Sequence, residues 1–206
     1  MNLFTSTIYR ATEWITRLAY LNLLWIFFTL TGLLLFGFFP STLAMYAIVR
    51  DWLNGKTDIV IFKNFWNYYK TEFVKSNLLG LFLITIIVLI GLDIYYVQMN
   101  DFNWISIPLY AMILLFILFL FYLFPAFTHF DLNLFPLIKN TFFIMLISPL
   151  HTLLIIICIG ALFIFINVFP GSAFIFGGSL YALITSWLAL HAFIHYSKQW
   201  LSFNCT

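Results

Sequence analysis

Long apolar runs without any charged side chain alternate with short polar stretches along this chain. Four such runs cover most of its length: residues 18–49, 76–92, 102–130 and 140–197. A helix needs about 20 apolar residues to cross about 30 Å of hydrocarbon. Each run therefore approaches or exceeds one crossing, and the last is long enough for two. The pattern predicts an all-α fold: a polytopic transmembrane helical bundle in a single membrane domain, residues 1–206.

The charged residues that bound these runs, together with turn residues inside them, place the individual spans. Pro170-Gly171 divides the longest run, because Pro170 has no backbone N–H to continue a helix. We expect full spans near residues 18–36, 76–98, 103–128, 141–168 and 172–197.

The first run exceeds one span but falls short of two, and Gly37 and Pro40 interrupt it. We interpret Gly37 and Pro40 as a structural bend, after which a short or re-entrant helix over residues 40–53 returns. All nine Lys and Arg residues then share one side, as the positive-inside rule favours, and both termini are predicted to be cytoplasmic. The alternative is one kinked helix over residues 18–49, which gives five spans and leaves the first two arginines outside.

Two amphipathic stretches are typical of helices that lie on the cytoplasmic membrane surface. Residues 58–75 place aromatic side chains at helical spacing on one face and lysines on another. The aromatic face is our candidate partner-contact surface: Phe62, Trp66, Tyr69 and Phe73. Membrane anchoring is the simpler interpretation of the same face. Residues 5–17 form a weaker N-terminal interfacial helix.

Composition strengthens the membrane prediction and removes other classes. Hydrophobic residues make up 64% of the chain and charged residues 8%, against about 25% charged in soluble domains. The net charge of +2 is too small for nucleic-acid binding through phosphate contacts. Cys158 and Cys205 offer neither a disulfide framework nor metal-ligand spacing.

Four histidines and one carboxylate are the candidates for chemistry within the bundle. The histidines could ligate haem or another metal if the fold gathered them, although no carboxylate or thiol accompanies them in a known metal-binding pattern: His129, His151, His191 and His195. Interfacial hydrogen bonding is the simpler role, and we expect no bound cofactor. Asp93 is the one carboxylate embedded in a predicted span, which makes it a candidate functional carboxylate. Its nearness to Tyr95, Tyr96 and Gln98 favours an interfacial position, which is the simpler interpretation.

Several stretches resemble the YesL-like family of bacterial integral membrane proteins, a domain of unknown function. The matching stretches are Asn22-Leu23-Leu24-Trp25, Gly37-Phe38-Phe39-Pro40-Ser41-Thr42-Leu43-Ala44-Met45-Tyr46, Val49-Arg50-Asp51-Trp52, Phe62-Lys63-Asn64-Phe65-Trp66, Glu72-Phe73 and Asn77-Leu78-Leu79-Gly80. Many members have Pro-Ala-Thr where this chain has Pro40-Ser41-Thr42. The family supplies no catalytic or binding residue to carry over.

Members of that family are commonly encoded in Gram-positive bacteria near carbohydrate importers and polysaccharide-degrading enzymes. The resemblance thus implies a protein of the bacterial cell membrane that is accessory to carbohydrate uptake. The sequence contains no Gly-rich phosphate loop, nucleophile elbow or paired carboxylate motif, so we expect a non-enzymatic protein. Its expected partners are the lipid bilayer and a carbohydrate transporter or membrane sensor, while the oligomeric state stays open. A small transporter or channel is the alternative function, and a histidine-ligated haem or metal protein is a third.

Overall fold

A computed structural model describes the backbone of residues 3–99, 103–130 and 132–204, and the side chains within residues 9–99, 106–130 and 132–193. Within those ranges the chain forms helices and no strand, which confirms the all-α helical bundle. The eight helices are α1 (Leu3–Thr31), α2 (Leu35–Leu53), α3 (Ile61–Thr71), α4 (Phe73–Met99), α5 (Asn103–His129), α6 (Leu134–Ile147), α7 (Pro149–Val168) and α8 (Pro170–Asn204).

Five helices are long and apolar enough to cross a membrane. The qualifying stretches are Tyr9–Thr31, Phe73–Met99, Ser106–His129, Pro149–Val168 and Pro170–Phe193. These helices leave many large apolar side chains exposed on the outside of the bundle, among them Leu81, Ile107 and Phe163. Because lipid tails accept such side chains and water does not, the protein is a multi-pass membrane protein.

Helices α1 and α2 form an antiparallel hairpin. Its turn holds Leu33 and Leu34 at φ of 58° and 60°, in the left-handed region. At the opposite end of the hairpin Trp14 meets Trp52 edge-on, with ring centroids 5.6 Å apart. The kinked single helix over residues 18–49 is therefore wrong. The turn also precedes Gly37 and Pro40, so these residues lie inside α2 and do not begin it.

Helix α2 is the central helix of the bundle. Its 19 residues span about 28 Å, and every side chain from Pro40 to Val49 is buried. It packs against α1, α3, α4, α5 and α8. The sequence predicted a returning helix of only partial length, and the structure extends it by five residues at its N-terminal end. Because other helices surround α2, the charged side chains of Arg50 and Asp51 near its C-terminal end find partners in the protein and do not need to face lipid.

Other boundaries differ from the sequence prediction for local reasons. The expected helix over 141–168 is two helices, because Pro149 starts α7 after Ser148 leaves the helical region with ψ of 58°. The expected surface helix over 58–75 shortens to α3. The residue before it is Val60, which provides no side-chain cap, so the helix begins three residues later than expected. The N-terminal stretch 5–17 continues into the first span as the single helix α1.

Candidate functional site

The aromatic face of α3 folds onto α1. The ring of Phe28 lies 5.1 to 6.1 Å, centroid to centroid, from the rings of Phe62, Phe65, Trp66 and Tyr69. Such ring pairs add about 0.5–1.5 kcal/mol each beyond area burial. Helix α3 is thus fixed to the α1–α2 hairpin by an aromatic cluster around a single phenylalanine.

The predicted partner-contact surface divides between the core and the exterior. Tyr69 is 7% exposed and belongs to the core, and Phe73 is half-buried against it. Phe62 and Trp66 remain 49% and 39% exposed. Lys70 lies over the Trp66 ring at 4.4 Å. The surface that α3 offers to another molecule therefore reduces to these two aromatic side chains and the neighbouring lysines.

A polar cluster joins α2, α3 and α5 near the C-terminal end of α2. Tyr68 Oη donates to Asp51 Oδ2 at 2.6 Å, and Arg50 Nη2 lies 3.1 Å from Asp51 Oδ1 and 3.4 Å from Tyr68 Oη. Arg50 Nη1 also donates to the carbonyl of Thr128 at the end of α5. The Asp51 side chain is only 6% exposed, so its negative charge depends on these two partners.

The electrostatics of Tyr68 follow from this arrangement. Burial raises the pKa of its phenol above the usual value, and the hydrogen bond to Asp51 and the negative charge there raise it further. The Arg50 guanidinium acts in the opposite direction. The phenol consequently stays protonated at neutral pH and remains a donor to Asp51.

A cavity of about 280 Å³ opens beside this cluster. Its polar wall carries Arg50, Tyr68, Glu72, Lys75 and His129, and its apolar wall is formed by residues of α2, α5 and the following turn: Leu43, Ala47, Phe127, Phe130 and Leu132. Opposite charges and a hydroxyl donor thus face one small space against an apolar backing. This arrangement can bind a polar or zwitterionic group, and we take it as the candidate functional site.

The four histidines are not brought together where the structure describes them. His129 packs against the rings of Phe130 and Phe193, while the His191 ring contacts Trp187 and its Nδ1 lies 2.8 Å from the Trp187 carbonyl. His151 is half-buried in the first turn of α7, and the side chain of His195 lies outside the described residues. No group of three or more metal-binding side chains occurs within the described ranges.

Asp93 lies on the outer surface of α4. It is exposed, and the neighbouring Leu92, Tyr95 and Tyr96 are exposed with it. The structure therefore gives Asp93 no place in a path through the bundle. Its role as a functional carboxylate stays a prediction.

Several polar side chains of the spanning helices pair across helix interfaces. Asn22 of α1 donates to the Phe174 carbonyl at 2.7 Å and accepts from the Ser179 N–H at 3.2 Å, which ties α1 to α8. Tyr46 meets Thr185, and Tyr122 meets Thr152, both at 2.9 Å. These are interhelical bonds of the kind that stabilise membrane bundles.

The sequence prediction missed the role of Arg50, Asp51 and Tyr68. Arg50 entered that prediction as one of the nine basic residues and, with Asp51, as part of a stretch that resembles the YesL-like family. A signal was present, because an Arg-Asp pair directly after seven apolar residues is costly at a helix interface unless each charge is paired. The third member of the cluster, Tyr68, lies 17 positions after Asp51 and could not be identified without the fold.

Comparisons with known proteins place these features in a group of relatives. The family described as "Protein of unknown function, DUF624" matches residues 18–94, which include α2, α3 and most of α4. Three uncharacterized proteins of Bacillus subtilis (strain 168) are similar over most of their length. YteU is 39% identical over 83% of this chain and 78% of its own, YesL 36% over 87% and 86%, and YesV 34% over 92% of both. No solved structure matches the chain significantly.

Proposed function

Because the chain belongs to the DUF624 family of YesL and its relatives, we propose that it is a non-enzymatic protein of the bacterial cell membrane that assists or regulates carbohydrate uptake. In this proposal α3 is the docking element for a carbohydrate transporter or membrane sensor. The observation that carries it is the exposed pair Phe62 and Trp66, presented on a helix that both the Phe28 cluster and the Arg50–Asp51–Tyr68 cluster hold in place. A rigid exposed aromatic pair is a typical anchor for a protein partner.

The hairpin supports one orientation in the membrane. Since Trp14 lies beside Trp52, Arg10 and Arg17 share one end of the bundle with Arg50 and the lysines that follow it. The positive-inside rule then favours a cytoplasmic location for this end and for both termini. The cluster in which Tyr68 of α3 meets Asp51 near the end of α2 would accordingly lie toward the cytoplasm.

A non-enzymatic role agrees with how the polar side chains are used. Hydrogen bonds between helices, such as Tyr46 to Thr185, occupy hydroxyls that a reaction centre would need free. Where the side chains are described, Asp51 is the one buried carboxylate, and it is paired with Arg50 and Tyr68. The carbohydrate assignment itself comes from the genomic setting of YesL-like proteins.

Co-purification from a bacterium that expresses tagged protein at its natural level tests this proposal. A component of a carbohydrate importer should be enriched with the wild type and lost with the double variant Phe62→Ala/Trp66→Ala. Phe163→Ala in α7 is the matched control, since Phe163 is an exposed aromatic residue on a span. Lys63→Glu/Lys70→Glu changes the charge of α3 but keeps the rings that hold this helix on Phe28. If this variant also loses the importer component, the loss is one of docking and not of folding.

Two results would contradict the proposal. One is wild-type protein that enriches no importer component. The other is a double variant that enriches the component as well as Phe163→Ala does, because the exposed pair would then not be the contact.

A small transporter is the second candidate, and a specific feature favours it. An apolar cleft of about 570 Å³ lies between α2, α4, α5, α7 and α8, in addition to the polar cavity near Arg50. A solute could use these spaces if the bundle rearranged. Flux of labelled sugars or ions into vesicles that contain only this protein would support the transporter, whereas the accessory protein should give none above empty vesicles.

A further inference from the structure

The cavity beside Arg50 lies where membrane spans end. The span of α5 ends at His129 and that of α4 begins at Phe73, and both ends border the cavity. Since the polar headgroups of a bilayer begin where apolar spans stop, the cavity lies at headgroup depth.

The charges that face the cavity are balanced. Arg50 is matched by Asp51 behind the cavity wall. Lys75 and Glu72 supply one further cation and one anion, and neither side chain forms an ion pair within the described residues. Three of the five guanidinium donors of Arg50 are used, which leaves two for a ligand. The site thus offers free donors and a free acceptor with no excess charge.

The apolar half of the cavity adds a second requirement. Leu43, Ala47, Phe127, Phe130 and Leu132 form a wall that a small hydrophilic solute would leave uncovered. A ligand that is charged at one end and hydrocarbon at the other satisfies both walls.

We propose that this cavity binds the headgroup of a phospholipid that carries both a phosphate and a primary ammonium group, that is, phosphatidylethanolamine. The phosphate accepts hydrogen bonds from Arg50 and Lys75, and the ammonium group donates to Glu72. The zwitterionic headgroup matches the balanced charge of the site, and its glycerol region covers the apolar wall. Lipid binding at this site needs no transporter partner. The lipid measurement therefore tests this proposal independently of the docking role of α3.

Native mass spectrometry of protein taken from nanodiscs of defined lipid mixtures tests the proposal. Phosphatidylethanolamine should be retained about tenfold more than phosphatidylcholine, since the quaternary ammonium group of the latter has no N–H to donate to Glu72. It should also exceed phosphatidylglycerol, which has no cation. Equal retention of the three lipids, or a preference for phosphatidylglycerol, would overturn the assignment.

Paired substitutions locate the binding. Lys75→Gln and Glu72→Gln should each reduce retention of phosphatidylethanolamine about 5- to 20-fold, the loss expected for one charge-assisted hydrogen bond. Lys70→Gln and Asp58→Asn are the controls, because both side chains are exposed and lie outside the cavity. Arg50 is left intact, since it also holds Asp51 and Thr128.

The same measurement separates the lipid from a soluble ligand with equal chemistry. Addition of free phosphoethanolamine at millimolar concentration should not displace the lipid, because it cannot cover the apolar wall. Full displacement would assign the site to a soluble zwitterion. Cavity variants that retain the lipid as well as their controls do would refute the site altogether.

Discussion

The close approach of α1 and α2 at Gly37 leads to a sharp prediction for Gly37→Ala. A Cβ atom at this position would lie 2.6 Å from the Thr29 carbonyl oxygen, 2.7 Å from that of Phe28 and 2.8 Å from the Cα of Gly32. All three atoms belong to the backbone, so no side chain can rotate away. Helix α1 must retreat by about 0.8 Å to restore an ordinary contact of about 3.4 Å.

The energetic cost can be built from the neighbouring contacts. Overpacking of a close-packed site costs about 1–3 kcal/mol. The retreat also stretches the hydrogen bonds Thr29 to Ser41 at 2.7 Å and Trp25 to Thr42 at 3.0 Å, each worth about 0.5–1.5 kcal/mol. The better helix propensity of alanine returns about 1 kcal/mol. If the stretched bonds lose about half of their energy, we expect a net loss of about 2 kcal/mol, or a fall in melting temperature of about 4–8 °C for a chain of this size.

Thermal unfolding in a mild detergent, followed by tryptophan fluorescence, measures this fall. Gly91→Ala in α4 and Gly160→Ala in α7 are the matched controls, because a Cβ atom at either position meets nothing within 4 Å. Both controls should melt at or slightly above the wild-type temperature. If Gly37→Ala melts with the controls, the two helices do not approach each other as closely as described and the reasoning fails.

Three further predictions use the same unfolding measurement. Thr42→Val should lower the free energy of unfolding by about 1 kcal/mol, because the Trp25 indole N–H loses its acceptor, whereas Ser41→Ala should cost less since Thr29 keeps its bond to the Trp25 carbonyl. Tyr68→Phe should cost about 1–2 kcal/mol at neutral pH, because the buried Asp51 loses a donor. The pKa of Tyr68 is higher in the folded protein than its ordinary value of 10.0. This contribution is therefore complete below the ordinary value and is lost as the pH rises through the raised folded-state pKa, where the variant and the wild type should converge. Asn22→Leu should cost about 1–2 kcal/mol through its two bonds to α8, while Asn167→Leu, which loses only a bond within its own helix, should be nearly neutral.

The uncharged apolar runs were enough to predict a bundle of long apolar helices, because the energetic cost of placing charges in hydrocarbon is large and local. The break at Pro149 shows where that approach fails. Residues 140–197 carry no charge, so nothing in hydropathy distinguishes one long helix from two. The proline that ends α6 acts through backbone geometry, and the sequence prediction weighed only Pro170-Gly171 in this run.

The candidate site could be predicted only in part for a different reason. Aromatic periodicity found α3 and its exposed pair, since spacing along one helix is visible in the sequence. The Arg50–Asp51–Tyr68 cluster and its cavity depend on contacts between three helices. Residues as distant as Arg50 and Thr128 meet there, and no local pattern marks such a pairing.

The sequence prediction found the hairpin turn but assigned it to the wrong residues. Gly37 and Pro40 indicated a reversal, and the chain does reverse, but the left-handed backbone falls on Leu33 and Leu34. Gly32 and Gly37 serve another purpose, because a Cβ atom on either would lie within 3 Å of the other's Cα, at 2.3 and 2.8 Å. In soluble proteins nearby glycine and proline residues usually mark a turn. Between membrane helices small residues chiefly allow the two backbones to approach closely. The two leucines can occupy strained positions at the turn because the packed pair of glycines, and the hydroxyl bonds of Ser41 and Thr42 next to it, hold the two helices together.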